Sequence, residues 1–96
     1  MRFEWDPDKN ESNFVKHSIW FEDAESVFDD ENAIYIHDIH NSYDEDRYNV
    51  IGLCSLKNKL VVCHCYRNGG EIIRIISARL ATKREAKLYE KGVSAW

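Results

Sequence analysis

The stretch Arg74–Glu85, RIISARLATKRE, decides how the chain is read. Its first half, with Ile75 and Ile76 adjacent, ends a buried strand. Its second half starts a helix, with Thr82 as cap and Glu85 three residues on, the reciprocal pair of a capping box. Two guanidinium groups, Arg74 and Arg79, bracket the apolar run although each is costly to desolvate. Alternation resolves the conflict. Ile72, Arg74, Ile76 and Ala78 share one face of an extended strand, so Arg74 can look outward while Ile75 and Ser77 look toward the helices. Arg79, at the strand exit, need not be buried at all.

Three further strand candidates precede this one, AIYIHDI, RYNVIGLC and KLVVCHCY, separated by turn-prone stretches containing HNSYDED, SLKNK and RNGG. Connections this short favour antiparallel hairpins over helical crossovers. At the start of the chain RFEW alternates Phe3 and Trp5 with polar neighbours, as a short strand does. DPDKNESNFVKH then opens a helix, with Asp6 as cap, Pro7 at the first helical position and Asp8 where the helix dipole favours negative charge. FEDAESVF spaces Phe21, Ala24 and Phe28 for a second, short helix. At 100° per residue the last helix separates Lys83, Arg84, Lys87 and Lys91 from a packing face of Ala86, Tyr89 and Val93, and Gly92 stops it. The expected fold class is α+β, one domain over residues 1–96. It has a mainly antiparallel sheet of four to five strands, two N-terminal helices and a C-terminal helix, with helices on one face and the other partly open.

Composition bounds the function. The longest apolar runs, such as Leu60–Val62 with Cys63, stop far short of the roughly 20 residues of a membrane span. Met1 leads directly into RFEWDPDK with no apolar signal region, so a cytoplasmic location is expected. Cys54, Cys63 and Cys65 are an odd number of thiols in strand-like segments, which favours a reducing compartment. In CHC, strand geometry puts Cys63 and Cys65 on one face and His64 on the other, against convergence on one metal ion. His37 and His40, flanking Asp38, read as an exposed polar loop, and no metal or cofactor is expected. The net charge of −4 is unevenly spread. Up to Tyr43 the chain has 3 Lys and Arg against 11 Asp and Glu, net −8; from Asp44 onward it has 10 against 6, net +4. A polarised molecule of this kind can hold a basic ligand site within an acidic protein.

A face carrying His64 and Arg74, joined by Arg47 in the right register, holds the groups that RNA cleavage through the 2′-hydroxyl needs. A base takes the 2′ proton, an acid protonates the leaving oxygen, and cationic donors stabilise the phosphate charge. Arg suits the last role because its planar fork meets two phosphate oxygens at once. Ion pairs of these arginines with Glu71 or Glu45 are the structural alternative. Ser55 and Ser77 lack the glycine-flanked turn of a hydrolase nucleophile, and NGG at Asn68–Gly70 reads as a hairpin rather than a phosphate loop.

The chain resembles the BrnT toxins of bacterial type II toxin–antitoxin systems. The resemblance rests on Phe3, Trp5, Asp6, Lys9, Asn13, Lys16, His17, Phe21, Glu22 and Ala24, on VFDD, on DEDRY with Glu45 and Arg47, on the strand with His64, and on RIISARLATKRE. It implies a RelE-like fold, metal-independent endoribonuclease activity that inhibits translation and growth, and neutralisation in a hetero-oligomer by a BrnA-type antitoxin. Such an antitoxin, a ribbon-helix-helix protein, would connect the toxin to operator DNA. Carried over by position, Arg74 and Arg79 are expected to bind phosphate and stabilise the transition state. His64 is an acid or base, and Glu45 with Arg47 forms a second acid-base and phosphate pair. His17, ending the first helix with Lys16, is either catalytic or a helix cap packed under Trp20; Lys16, Lys83, Arg84 and Lys87 are expected to meet RNA. Tyr89 and Asp6 are read as structural. The acidic first half suits an antitoxin segment rich in Lys or Arg. Two other readings stay open: a catalytically degenerate partner and corepressor of the antitoxin, and a metal-binding regulator built on His37, His40 and the cysteines.

Overall fold

A computed structural model of the chain describes residues 1–42 and 44–92. Strand β1 (Arg2–Glu4) leads into helix α1 (Pro7–His17), which starts as its sequence predicts: Asp6 Oδ1 accepts from the Asp8 amide at 2.9 Å and Pro7 occupies the first turn. Ser18, at φ 60°, ends the helix in the left-handed conformation. Helix α2 (Phe21–Ala24) tightens into a 3-10 turn at Glu25–Asp29, burying Phe21, Ala24 and Val27. Then come β2 (Ile34–His37), β3 (Tyr48–Leu53), β4 (Lys59–Arg67), β5 (Ile72–Leu80) and helix α3 (Lys83–Lys91). The capping box forms, with Thr82 Oγ1 accepting from the Glu85 amide at 3.2 Å and Glu85 Oε1 accepting from the Thr82 amide at 2.9 Å.

The strand order is β1-β5-β4-β3-β2, antiparallel throughout except that β1 lies parallel to β5. This is the α+β class expected. On one face, α1, α2 and the 3-10 turn cover a core of Phe21, Val27, Val50, Leu60, Val62, Ile73, Ile75 and Ala78. Gly52 lets the 3-10 turn approach, since a Cβ there would lie 2.7 Å from Val27 Cγ1. Two buried asparagines fasten the helical layer. Asn13 Nδ2 donates to the carbonyls of Ile19 and Ala78 and its Oδ1 accepts from the Ala78 amide, while Asn10 Oδ1 accepts from the Phe21 amide.

The expectation that all helices share one face is not met. Ile34, Ile36, Ile51 and Val61 form a second apolar strip on the opposite face, and α3 covers it with Tyr89, the preceding Ala81 closing the rim. An apolar strip of this size has to be withdrawn from water, and among the described residues the helix free to do so is the one that follows β5. Tyr89 Oη donates to Asp30 Oδ2 at 2.6 Å, tying α3 to the far layer. Lys83, Arg84, Lys87 and Lys91 point to solvent, as the helical angles require. Val93, assigned to the packing face, lies outside the described residues.

One irregularity redistributes the side chains of β5. Cys63 pairs with Ser77 but His64 pairs with Ile75, so Ile76 is an extra residue opposite the Cys63–His64 step. Such a bulge reverses the alternation beyond it. Ile73 and Ile75 face the α1 core on one side of the bulge, and Ala78 faces it on the other. Regular alternation had placed Ala78 with Arg74 and Ser77 with Ile75; the bulge exchanges them.

Candidate functional site

The part of the α3 face that α3 leaves uncovered holds a cleft of about 450 Å³. Arg47, Asn49, Cys63, Ile76, Ser77 and Arg79 line it, with Asp38 at its edge. Strands β3, β4 and β5 supply all but Asp38 and Arg47, which lie just outside the ends of β2 and β3, and the bulge brings Ile76 and Ser77 to the same side. Burial pushes the Cys63 thiol up from its ordinary range, only partly offset by the charge of Arg47, so it stays protonated at neutral pH.

Arg79 is fixed by a two-pronged ion pair. Its Nη1 and Nη2 donate to the two Glu85 oxygens at 2.7 and 2.9 Å, and Nη1 also reaches the Leu80 carbonyl at 3.3 Å. The Arg79 hydrogen bonds hold the Glu85 carboxyl at about 2, and the Glu85 carboxylate in turn raises Arg79. Glu85 therefore orients the guanidinium while helping to cap α3. Arg47 makes none of the ion pairs present among the described residues.

Further along the same sheet face, Arg74 Nη1 donates to Glu4 Oε2 at 2.7 Å, a pairing that the parallel β1–β5 register brings about. Arg67 bridges Glu45 at 3.2 Å and Glu4 at 3.7 Å, and the Cys65 thiol donates to Glu45 at 3.5 Å. Glu45 thus pairs with Arg67, from β4, where the sequence suggests Arg47. The carboxylate on Arg74 is Glu4, from β1, not Glu71 or Glu45.

His64 is elsewhere. It was expected to look outward beside Arg74, yet it is fully buried on the α1 face, because the bulge puts Arg74 and His64 on opposite sides of the sheet. Its Nδ1 donates to the Val62 carbonyl at 3.0 Å and its Nε2 accepts from Tyr66 Oη at 3.3 Å. The rings of Phe28 and Tyr66 stand edge-on to it at 4.8 and 5.3 Å. Desolvation lowers its pKa, so it is neutral. Cys63 and Cys65 do share the opposite face, as strand geometry predicts. Lys16 and His17 end α1, on the His64 side of the sheet, and Trp20 stacks on Phe14 at 4.1 Å. Lys83, Arg84 and Lys87 lie on the outer surface of α3, the helix whose Glu85 borders the cleft.

Sequence reasoning missed Asn49 and Ser77 as cleft residues and Glu4 and Glu85 as the carboxylates that hold the arginines. Glu85 had a local signal in the capping box; Glu4 had none, since its partner is 70 residues away.

A mainly antiparallel sheet with an arginine-bearing open face is suited to holding phosphates. The chain belongs to a family of toxins from type II toxin–antitoxin systems. The model of that family, described as the ribonuclease toxin, BrnT, of type II toxin–antitoxin system, matches residues 5–85. The fold is similar to that of the Brucella abortus ribonuclease toxin, BrnT, known from a 1.1 Å crystal structure. The two share 26% sequence identity over 86% of this chain and 99% of that one, with a TM-score of 0.65. No curated protein sequence matches the chain. The family carries ribonuclease toxin activity and implies an antitoxin partner. No helix among the described residues is long and apolar enough to cross a membrane.

Proposed function

We propose that the chain cleaves RNA as an endoribonuclease and so inhibits translation and growth, its substrate lying along the arginine-bearing face of the sheet. The observation that carries this is the convergence of Arg47 and Arg79 on one open cleft. Arg79, pre-oriented by Glu85, and Arg47 grip the scissile phosphate and stabilise its transition-state charge. Arg74 binds a neighbouring phosphate by exchanging Glu4 for it. Glu45, held by Arg67 and half-buried, is assigned the proton transfer. Lys83, Arg84 and Lys87 guide the RNA along α3, and Lys16 and His17 meet it only if it wraps past the sheet edge. Guanidinium groups supply the charge stabilisation that a metal gives other nucleases. A BrnA-type ribbon-helix-helix antitoxin neutralises the toxin in a hetero-oligomer and links it to operator DNA.

The test is induction of the chain without antitoxin, alongside Arg79→Ala and Arg47→Ala, with RNA ends mapped and cleavage assayed in EDTA. Growth arrest with discrete new ends, relieved by either substitution at equal abundance and unaffected by EDTA, is expected. Equal toxicity of parent and both variants would refute the site. A second reading is favoured by one fact, that Arg74 and Arg79 are already paired with carboxylates. In that reading the chain is a degenerate partner and corepressor, and induction produces neither arrest nor new RNA ends.

A further inference from the structure

On the α1 face, beyond the helical layer, β2, β3 and β4 expose a continuous aromatic surface. Tyr35 and Tyr66 are 45% and 39% exposed, Tyr48 and the exposed His37 lie between strand ends, and His64 forms the buried floor. The rings are in mutual contact. Tyr48 and Tyr66 centroids are 5.5 Å apart, His37 and Tyr48 5.0 Å, and Tyr35 stands edge-on to His64 at 6.1 Å. The polar rim is acidic. Asp46 Oδ1 lies 3.1 Å from His37 Nε2, and the charges of Asp30 and Asp29 act on Tyr35. Among the described residues, the cation seated over an aromatic ring, Lys59 on Tyr89 at 5.8 Å, belongs to the opposite side of the sheet.

We propose that this surface receives the antitoxin, through a segment that presents arginine or lysine side chains to the Tyr35–Tyr48–Tyr66 rings and to the carboxylates at their rim. Electron-rich ring faces attract a desolvated cation, and the neighbouring carboxylates add to that attraction. The same charges disfavour single-stranded RNA, which brings a phosphate with every base it stacks. The acidic half of the chain, net −8 up to Tyr43, supplies part of this surface. Antitoxin and RNA then occupy opposite faces of one sheet. The inference rests on the toxin–antitoxin reading for its partner but not on the assignment of the cleft.

The test uses the full chain and the cognate antitoxin purified from the co-expressed pair. Affinity is measured by titration calorimetry for the parent, the double variant Tyr35→Ala/Tyr66→Ala, the ring-preserving Tyr35→Phe/Tyr66→Phe, and Asp46→Asn. RNA cleavage, sedimentation and thermal unfolding are followed in parallel. The alanine pair is expected to weaken antitoxin binding at least about tenfold and the phenylalanine pair by less than about threefold, with cleavage unchanged. Asp46→Asn is expected to weaken binding severalfold and to reduce its salt dependence. Antitoxin affinity within twofold of the parent in the alanine pair would overturn the proposal. So would loss of RNA binding with antitoxin binding intact, which makes the surface an RNA platform, or loss of a self-associated form, which makes it a contact between copies of this chain. If the chain cuts no RNA at all, the calorimetric comparison still decides.

Discussion

Glu85 shows how one side chain serves two purposes. It closes the capping box of α3 and holds the Arg79 fork, so its carboxyl titrates at about 2 instead of the ordinary 4.5. A depressed carboxyl contributes stability above its unfolded value and loses it as pH falls toward the folded one. The parent should therefore lose stability between about pH 4.5 and 2 through this group, by roughly 1–2 kcal/mol after allowance for solvent screening. Glu85→Gln, followed by denaturant unfolding across that range, should lack the step. His64 gives an acid-side dependence at higher pH. Its folded pKa lies below 6.5 because burial disfavours the imidazolium, so its contribution is complete above pH 6.5 and declines as pH falls below it. One such proton limits the slope to about 1.4 kcal/mol per pH unit. His64→Gln should flatten unfolding stability in that range, and an unchanged slope would place the proton elsewhere.

Among the elements, the junction of α1 with β5 depends most on a single side chain. Asn13 satisfies two carbonyls and an amide that have no other side-chain partner, where water cannot reach. Asn13→Ala should cost about 3 kcal/mol, measured as a shift in denaturant midpoint with unchanged slope. What was legible in the sequence divides along the same lines. The starts of α1 and α3 could be read because Asp6 with Pro7, and Thr82 with Glu85, act over three residues. The strands could be read because their apolar pattern and turns are local. The placement of α3 could not, because it depends on Ile34, Ile36, Ile51 and Val61, which become one strip only when β2, β3 and β4 pair. The candidate site was half legible for the same reason: Arg74 and Arg79 stood out by type, but Glu4 reaches Arg74 only through the parallel pairing of the chain's first strand.

For the whole molecule, the arginine-bearing face holds most of its cations beside carboxylates, Glu4, Glu45 and Glu85. A cleft with few unpaired cations should bind RNA with modest salt sensitivity. Neutralising two or three phosphates corresponds to a slope of about −1.4 to −2.1 in log K against log salt for a single strand. Fluorescence anisotropy with a 2′-deoxy-substituted oligonucleotide, which cannot be cut through a 2′-hydroxyl, would measure it. A slope several times steeper would mean that α3 and its lysines carry the binding instead. Ile76 bears on how relatives of this chain are aligned. A one-codon deletion there would shorten β5 by a single residue and restore plain alternation, leaving Arg74, Ser77 and Arg79 on the cleft face and Ile75 and Ala78 on the core face. A gap at this position is therefore a length variation that both flanks of the strand can absorb. Chains that lack the extra residue should therefore keep the same polar and apolar order on both flanks of it, and that match can be sought by eye.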